Sequence, residues 1–250
     1  MSAQRLRALH VPGDPLVLPN VWDADSARLV VDAGFPVVAT SSAAVAASLG
    51  YADGEQVSPN EMFDVAARIA AAVDVPLTVD VEAGYGLSAL ELSDRLAETD
   101  AAGCNIEDTD QQEGRRRSTN ENVALLAGLK EHSGDLLVVN ARIDSFLGAR
   151  GVEEERAALP DAIERARAYL DAGVDCVYPI HVRSAEVLGE FVAAVSPAPV
   201  NATYLPDGPD LAVLAKLGVA RVSLGTGLWR LAQARITDAL SAVASGTSPF

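Results

Sequence analysis

The chain has 250 residues, 49% of them apolar but only 5% aromatic, so Ala, Val and Leu must fill a large core. Nineteen basic residues against 35 acidic ones leave a formal charge of −16. That excludes a nucleic-acid surface, which needs clustered Lys and Arg; the single run Arg115-Arg116-Arg117 is too short to reverse it. No apolar stretch approaches membrane-spanning length, and Met1 to Leu16 lacks the uninterrupted apolar core of a signal peptide. A soluble, cytoplasmic protein with no membrane partner is expected.

In chain order, eight short apolar runs read as strands: Leu16–Val21, Val37–Ser41, Leu77–Val81, Cys104–Asp108, Leu136–Ile143, Cys176–Ile180, Pro199–Thr203 and Arg221–Gly225. Amphipathic runs between them suit helices, among them Glu61–Val73, Ala89–Ala102, Glu121–Glu131, Pro160–Ala172 and Ala185–Val195. A junction recurs in which a helix-like run meets a glycine and then a strand, at Gly34, Gly103, Gly173 and Gly218. Glycine just past a helix end accepts the left-handed backbone that other residues resist. Repeated, this junction signals alternating helix and strand around a parallel sheet. Eight such units in this length predict a (β/α)8 TIM barrel, one domain over residues 1–250. The rival, an open doubly wound sheet, wants a glycine-rich turn after its first strand; here the turn reads Trp22-Asp-Ala-Asp-Ser26.

A barrel of this kind places its active site at the C-terminal ends of the strands, and polar residues gather there. The first strand ends at Asn20, Trp22 and Asp23, the second at Thr40-Ser41-Ser42-Ala43, followed by a long loop carrying Asp53. The third ends in Asp80 and Glu82. Two residues apart on a strand, these share a face and aim two carboxylates one way. Glu107 and Asp108 end the fourth, Asn140, Arg142 and Asp144 the fifth, and His181 the sixth; Asn201, Thr203, Ser223 and Gly225-Thr-Gly227 complete the ring. Crowded carboxylates repel, and a hard cation resolves the conflict. With only oxygen donors on offer, Mg²⁺ (or Mn²⁺) is expected, bound directly by Asp80 and through water by Glu82, Glu107 and Asp53. Arg142 is placed to clamp a carboxylate, while backbone N–H groups of Ser42 and Ala43 receive another oxygen. Trp22, Ser41 and Asn201 complete the expected substrate-binding set, and Asp53 and Arg142 the catalytic one. Asp25 is expected to cap the helix that begins near Ser26. Asp144 has a nearby arginine to pair with. Cys104 and Cys176, without metal-ligand spacing, read as buried free thiols.

These segments resemble the isocitrate lyase/phosphoenolpyruvate mutase superfamily. The likeness runs through Pro19-Asn-Val-Trp-Asp-Ala-Asp-Ser-Ala-Arg28, Thr40-Ser-Ser-Ala43 leading to Leu49-Gly-Tyr-Ala-Asp-Gly54, Asp80-Val-Glu-Ala-Gly-Tyr-Gly86, Gly103-Cys-Asn-Ile-Glu-Asp108, Asn140-Ala-Arg142 and Pro199-Val-Asn201. The resemblance implies a Mg²⁺-dependent barrel acting on small 2-oxo or 2-hydroxy acids, with C–C or P–C bond chemistry and a homo-oligomeric assembly. It also implies Asp80 as principal metal carboxylate, and Ser42, Ala43 and Arg142 around the substrate carboxylate. Lyases of the superfamily carry Lys-Arg-Cys-Gly-His in the loop after the fourth strand, whose cysteine is the general acid. Here that loop reads Asp110-Gln-Gln-Glu-Gly-Arg-Arg-Arg-Ser-Thr119, without Cys or His. Glu82 stands where many relatives have Asp, and the chain stops at Phe250, before the final helices that relatives exchange between subunits. The expected function is a lyase cleaving a C–C bond of, or decarboxylating, a small 2-oxo acid through an enolpyruvate-like intermediate. The alternatives are a P–C bond enzyme and a barrel that binds an anion without turning it over.

Overall fold

A computed structural model describes residues 2–250. All eight predicted strands form, and their ladders close. The first stave is Leu16–Leu18, continued after Pro19 by Asn20–Val21; the others are Val38–Thr40, Leu77–Asp80, Gly103–Glu107, Val138–Ile143, Cys176–Pro179, Asn201–Thr203 and Arg221–Ser223. Pro19 has no N–H to donate and splits the first stave between two neighbours. Leu16–Leu18 pairs with the eighth stave and Asn20–Val21 with the second, both in parallel. Staves two to six follow as parallel neighbours, the Val177–Val200 bridge joins six to seven, and seven pairs with eight. The buried Asn20 clasps the seam, donating to the Thr40 carbonyl at 2.8 Å and accepting from the Leu224 N–H at 2.9 Å.

Helix starts follow their caps. Ser58, Ser88 and Ser118 each accept from the N–H of a Glu three residues on, which starts Pro59–Ala70, Ala89–Glu98 and Thr119–Ser133. Ala185–Val195 forms as expected. Three expectations need correction. The helix near Ser26 runs Ala24–Asp32 and its cap is Asp23, in a reciprocal box with Ser26; Asp25 is exposed and pairs with Arg28. The helix expected to start at Pro160 begins at Val152, because Glu153, Glu154 and Glu155 favour a helix N-terminus there; Pro160 lies inside it. Third, the segment after Ser41 is not loop throughout: Ser42–Leu49 is a helix capped by the Ser41 hydroxyl.

The glycine junctions hold at Gly34, Gly173 and Gly218, all left-handed, but not at Gly103. There the left-handed residue is Asp100. Gly103 starts the fourth stave, where a Cβ would lie 2.7 Å from the Val138 carbonyl and 2.8 Å from Leu6. Its glycine serves close packing.

Between the ring and the outer helices, small and branched side chains form one continuous core. A helix over Ser2–Ala8, absent from the expected set, closes the N-terminal end by packing Ala3 and Leu6 against Leu16, Leu18 and Val138. The last helix, Gly227–Ala244, buries none of its residues. No described helix is long and apolar enough to cross a membrane.

Candidate active site

The C-terminal ends of the staves surround a cavity of about 220 Å³, lined by groups from the first six staves and the eighth, and by Asp53 and Arg230. Asp80 is its best-held acid. One carboxylate oxygen accepts from the Ser42 N–H at 3.0 Å and hydroxyl at 2.8 Å; the other accepts from the Asn105 amide at 3.0 Å. Asn105 in turn accepts from Asn140 at 2.8 Å, and the Thr40 hydroxyl accepts from the Asp80 N–H at 2.8 Å. Strand alternation puts Asn105 and Asn140 on the inward face, so four staves fix this one carboxylate.

Glu82 leaves the strand in a left-handed conformation, φ +49°. Its longer side chain carries the carboxylate to the loop after the second stave, where one oxygen accepts from Gly54 N–H at 3.1 Å and Glu55 N–H at 2.6 Å. Glu82 thereby holds the turn that carries Asp53. Glu55 closes the clasp by accepting from the Tyr85 N–H at 2.6 Å. Burial, then the nearby Asp80 and Asp53 charges, push the Glu82 carboxyl up to about 7, although the Glu55 N–H draws it down. Burial and the Asp80 charge likewise raise Asp53.

Arg142 is committed on two sides. Its Nη1 pairs with Glu107 at 2.5 Å and its Nε with Asp144 at 2.7 Å. Burial pushes Glu107 up, and the Arg142 charge opposes it. The acids are anchored from outside the ring. Asp144 accepts from Thr109 at 2.5 Å and donates its N–H to the fully buried Asp108 at 2.9 Å. Asp108 accepts from Arg165 at 3.1 Å and Tyr169 at 2.9 Å, both on the helix Val152–Asp171. The short hairpin Thr109–Asp110 and Arg115–Arg116 spans the loop after the fourth stave; in it Arg115 pairs with Glu113 and Glu121, and Arg117 with Asp110.

Of the residues expected at the site, Ser41, Ser42, Ala43, Asp53, Asp80 and Arg142 line the cavity. Ser42 gives its donors to Asp80, so its N–H is not free for a ligand. Ala43 keeps that position, in the first helical turn, where N–H groups lack intrahelical partners. Trp22, Glu82, Glu107 and Asn201 are not in the lining. Trp22 packs edge-on against Trp229, ring centres 5.1 Å apart, and Asn201 exchanges hydrogen bonds with Ser223. Sequence reasoning passed over Asn105, Tyr178, Arg221 and Arg230. For Asn105 the available signal was its place two residues before Glu107, on the same strand face.

No three described His, Cys, Asp or Glu side chains are gathered closely enough to enclose a metal ion. That spacing is compatible with the expectation that Asp80 meets the ion directly and Glu82 and Glu107 through water. The donor chemistry still fits a hard cation. Every donor is oxygen, and Asp80 faces the cavity beside a second carboxylate that repulsion and burial destabilise. Mg²⁺ takes one or two protein carboxylates and keeps water elsewhere. Asp80 would hold such an ion directly, with Asp53 and, through water, Glu82 and Glu107 around it.

Comparison with known proteins gives the chain's family. The profile of the family described as phosphoenolpyruvate phosphomutase matches residues 6–244. Oxaloacetate decarboxylase of Rhodopseudomonas palustris is 31% identical over 98% of this chain and 85% of its own. A Burkholderia cenocepacia structure assigned provisionally as a phosphonomutase superposes with TM-score 0.89 at 38% identity, covering 96% of this chain and 99% of that one. Oxaloacetate acetylhydrolase, solved with its product oxalate, superposes with TM-score 0.84 at 25% identity over 97% of this chain and 87% of its own.

Proposed function

The chain belongs to the phosphoenolpyruvate phosphomutase family of the isocitrate lyase/phosphoenolpyruvate mutase superfamily, and on that premise we propose that it is a Mg²⁺-dependent carbon–carbon lyase of small 2-oxo acids, with oxaloacetate-type decarboxylation as the favoured reaction. The observation that carries this reading is Asp80, fixed by three hydrogen bonds in a small polar cavity that has no thiol in its lining. Cys104 and Cys176 are fully buried, with burial pushing both thiols up to about 12, so neither serves as an acid. The loop after the fourth stave has no Cys or His to replace them. Decarboxylation needs neither. The C–C bond to the departing carboxylate breaks, its electron pair stays with the retained carbon and enters an enolate, CO₂ leaves, and the enolate carbon takes a proton from solvent.

A divalent ion, when bound, would supply Lewis-acid stabilisation of the charge developing on the 2-oxo oxygen. The protein supplies the rest. Ser42 and Asn105 aim Asp80; Glu82 holds the Asp53 turn over the cavity; Arg142, made rigid by Glu107 and Asp144, lines the cavity and would meet a substrate oxygen there. The surroundings favour a small ligand, since Tyr178 and Ile180 wall one side and Thr226 with Arg230 the mouth. Asp80→Ala should abolish turnover of oxaloacetate together with its Mg²⁺ dependence, and full activity in that variant sinks the reading. The B. cenocepacia similarity favours a second reading, P–C chemistry on phosphonopyruvate or phosphoenolpyruvate. Phosphorus NMR of the wild type with each compound decides it, because an unchanged spectrum rules the P–C reaction out.

The assembly is proposed to be a homo-oligomer built through Gly227–Ala244. Leu231, Ile236, Leu240 and Val243 of this helix are all more than half exposed, a poor arrangement for a lone chain in water.

A further inference from the structure

One layer below the cavity mouth, the inward side chains are polar where a barrel of this kind is usually packed with branched apolar residues. Thr78 lies two residues before Asp80, Asn140 two before Arg142, and Arg221 two before Ser223, so each points inward beneath a mouth residue. Thr78 Oγ1, Asn140 Oδ1, and Arg221 Nε and Nη1 are all buried without a hydrogen-bond partner. Arg221 is the extreme case. It is 2% exposed, lines the cavity, and among the described residues makes neither a hydrogen bond nor an ion pair. Burial pulls its guanidinium below the ordinary arginine range, the opposite of Arg142, whose two carboxylate partners raise it.

Water between Arg221 and the Thr78 and Asn140 oxygens can satisfy N–H groups. It cannot neutralise the charge, and a buried cation without a counter-ion is strongly unfavourable. Asp80 is the carboxylate whose field reaches Arg221, but its oxygens are already held by Ser42 and Asn105 and face a cation site of their own. Arg230, also in the lining, is exposed to solvent, so the buried, uncompensated positive charge of the cavity is on its floor and not at Arg142, which Glu107 and Asp144 already neutralise. The missing counter-ion has to enter with the ligand.

We infer that Arg221 is a specificity-determining residue, the buried anchor for a carboxylate of the substrate; this rests on the 2-oxo acid reading above. Arg142 orients the ligand from the side, and Arg221 selects for an anionic group that reaches the barrel floor. A neutral substrate of the same size leaves Arg221 uncompensated and is rejected.

Two measurements on the full chain test this. Calorimetry with oxalate in the presence of Mg²⁺ should show Arg221→Met and Arg221→Gln binding about 30-fold or more weakly, the scale of losing a buried charge pair. Arg221→Lys, which keeps the charge, should stay within about tenfold of wild type. Thermal denaturation without ligand should place Arg221→Met at or above wild type, since it deletes a buried unpaired cation. Wild-type affinity in the Met and Gln variants overturns the inference, and so does an equal loss in Lys and Gln, which would mark a purely structural role. If Arg221→Met fails to fold, the Lys–Gln comparison decides. The second measurement needs neither metal nor turnover: sodium formate, against sodium chloride at matched ionic strength, should raise the melting temperature of wild type but not of Arg221→Gln. Wild type that ignores oxalate yet responds to formate through Arg221 sinks the lyase reading and keeps the anchor. A formate response equal in both proteins sinks the anchor itself.

Discussion

At the scale of single residues, the site depends on who holds whom. Asp80 was legible in the sequence as a strand-end acid, but its orientation is made by Ser42 and Asn105, on two other staves. Asn105→Ala removes one donor from Asp80 and leaves the Asn140 amide unpaired, a loss of about 1–3 kcal/mol in stability. The same variant should reduce kcat/KM at saturating Mg²⁺ by roughly tenfold, because a misaligned carboxylate costs on the order of 1.4 kcal/mol at the transition state. Urea denaturation and steady-state kinetics check the two halves separately. Glu82 has a task that its place in the sequence does not show. The extra methylene relative to aspartate lets the carboxylate reach the Gly54 and Glu55 N–H groups of a loop 27 residues away in sequence. No local pattern announces such a contact, because it exists only once the second and third staves lie side by side.

At the scale of elements, outer helices position the inner loops. Val152–Asp171 carries Arg165 and Tyr169 against Asp108, which orients Asp144 and through it Arg142. Arg165→Met leaves the buried Asp108 charge short of a partner and should cost about 3–5 kcal/mol, read as a lower urea midpoint. From the sequence, Pro160 reads as the start of this helix. A proline normally marks a helix start or break, and only the packing of Glu155, buried and accepting from the Arg183 and Ser184 N–H groups, extends the helix back past it. The N-terminal helix Ser2–Ala8 makes a pH-dependent plug. Just beyond it His10 is buried, its Nδ1 2.8 Å from the Leu6 carbonyl, and burial together with the Arg221 charge pushes its pKa from 6.5 down to about 4. The unfolded chain binds this proton at 6.5 and the folded chain does not, so between pH 4 and 6.5 stability rises with pH. The contribution is complete above pH 6.5 and lost as pH falls through the window to 4, about 3 kcal/mol in all. In His10→Asn the slope of stability against pH across that window should flatten, measured by denaturant titration at several pH values.

At the scale of the whole molecule, the anomaly is Gly227–Ala244, an 18-residue helix with no buried side chain. Ile236, Leu240 and Val243 recur at helical spacing on it, and Trp229 near its start packs against Trp22 at the barrel mouth. Ile236→Glu with Leu240→Glu should turn an oligomer into monomers, with the barrel's far-ultraviolet circular dichroism unchanged; light scattering after gel filtration reads the mass. An assembly unaffected by both charges would place the contact elsewhere.

The sequence by itself determined the barrel, since eight apolar runs separated by amphipathic ones leave a parallel ring as the arrangement that buries both sets of faces. It also determined which acids end which staves, because strand alternation fixes direction along each short run. Only the tertiary structure decided that Asp80 faces the cavity while Glu82 and Glu107 turn to a loop and an arginine, and that Trp22 and Asn201 face other protein groups. It alone disclosed Arg221, an arginine at the start of an ordinary apolar run. The physical reason is that hydrogen bonds and ion pairs among side chains far apart in sequence depend on which staves become neighbours and in what register. Periodicity along one strand carries the inward or outward sense of a side chain, but not the identity of the group it will meet.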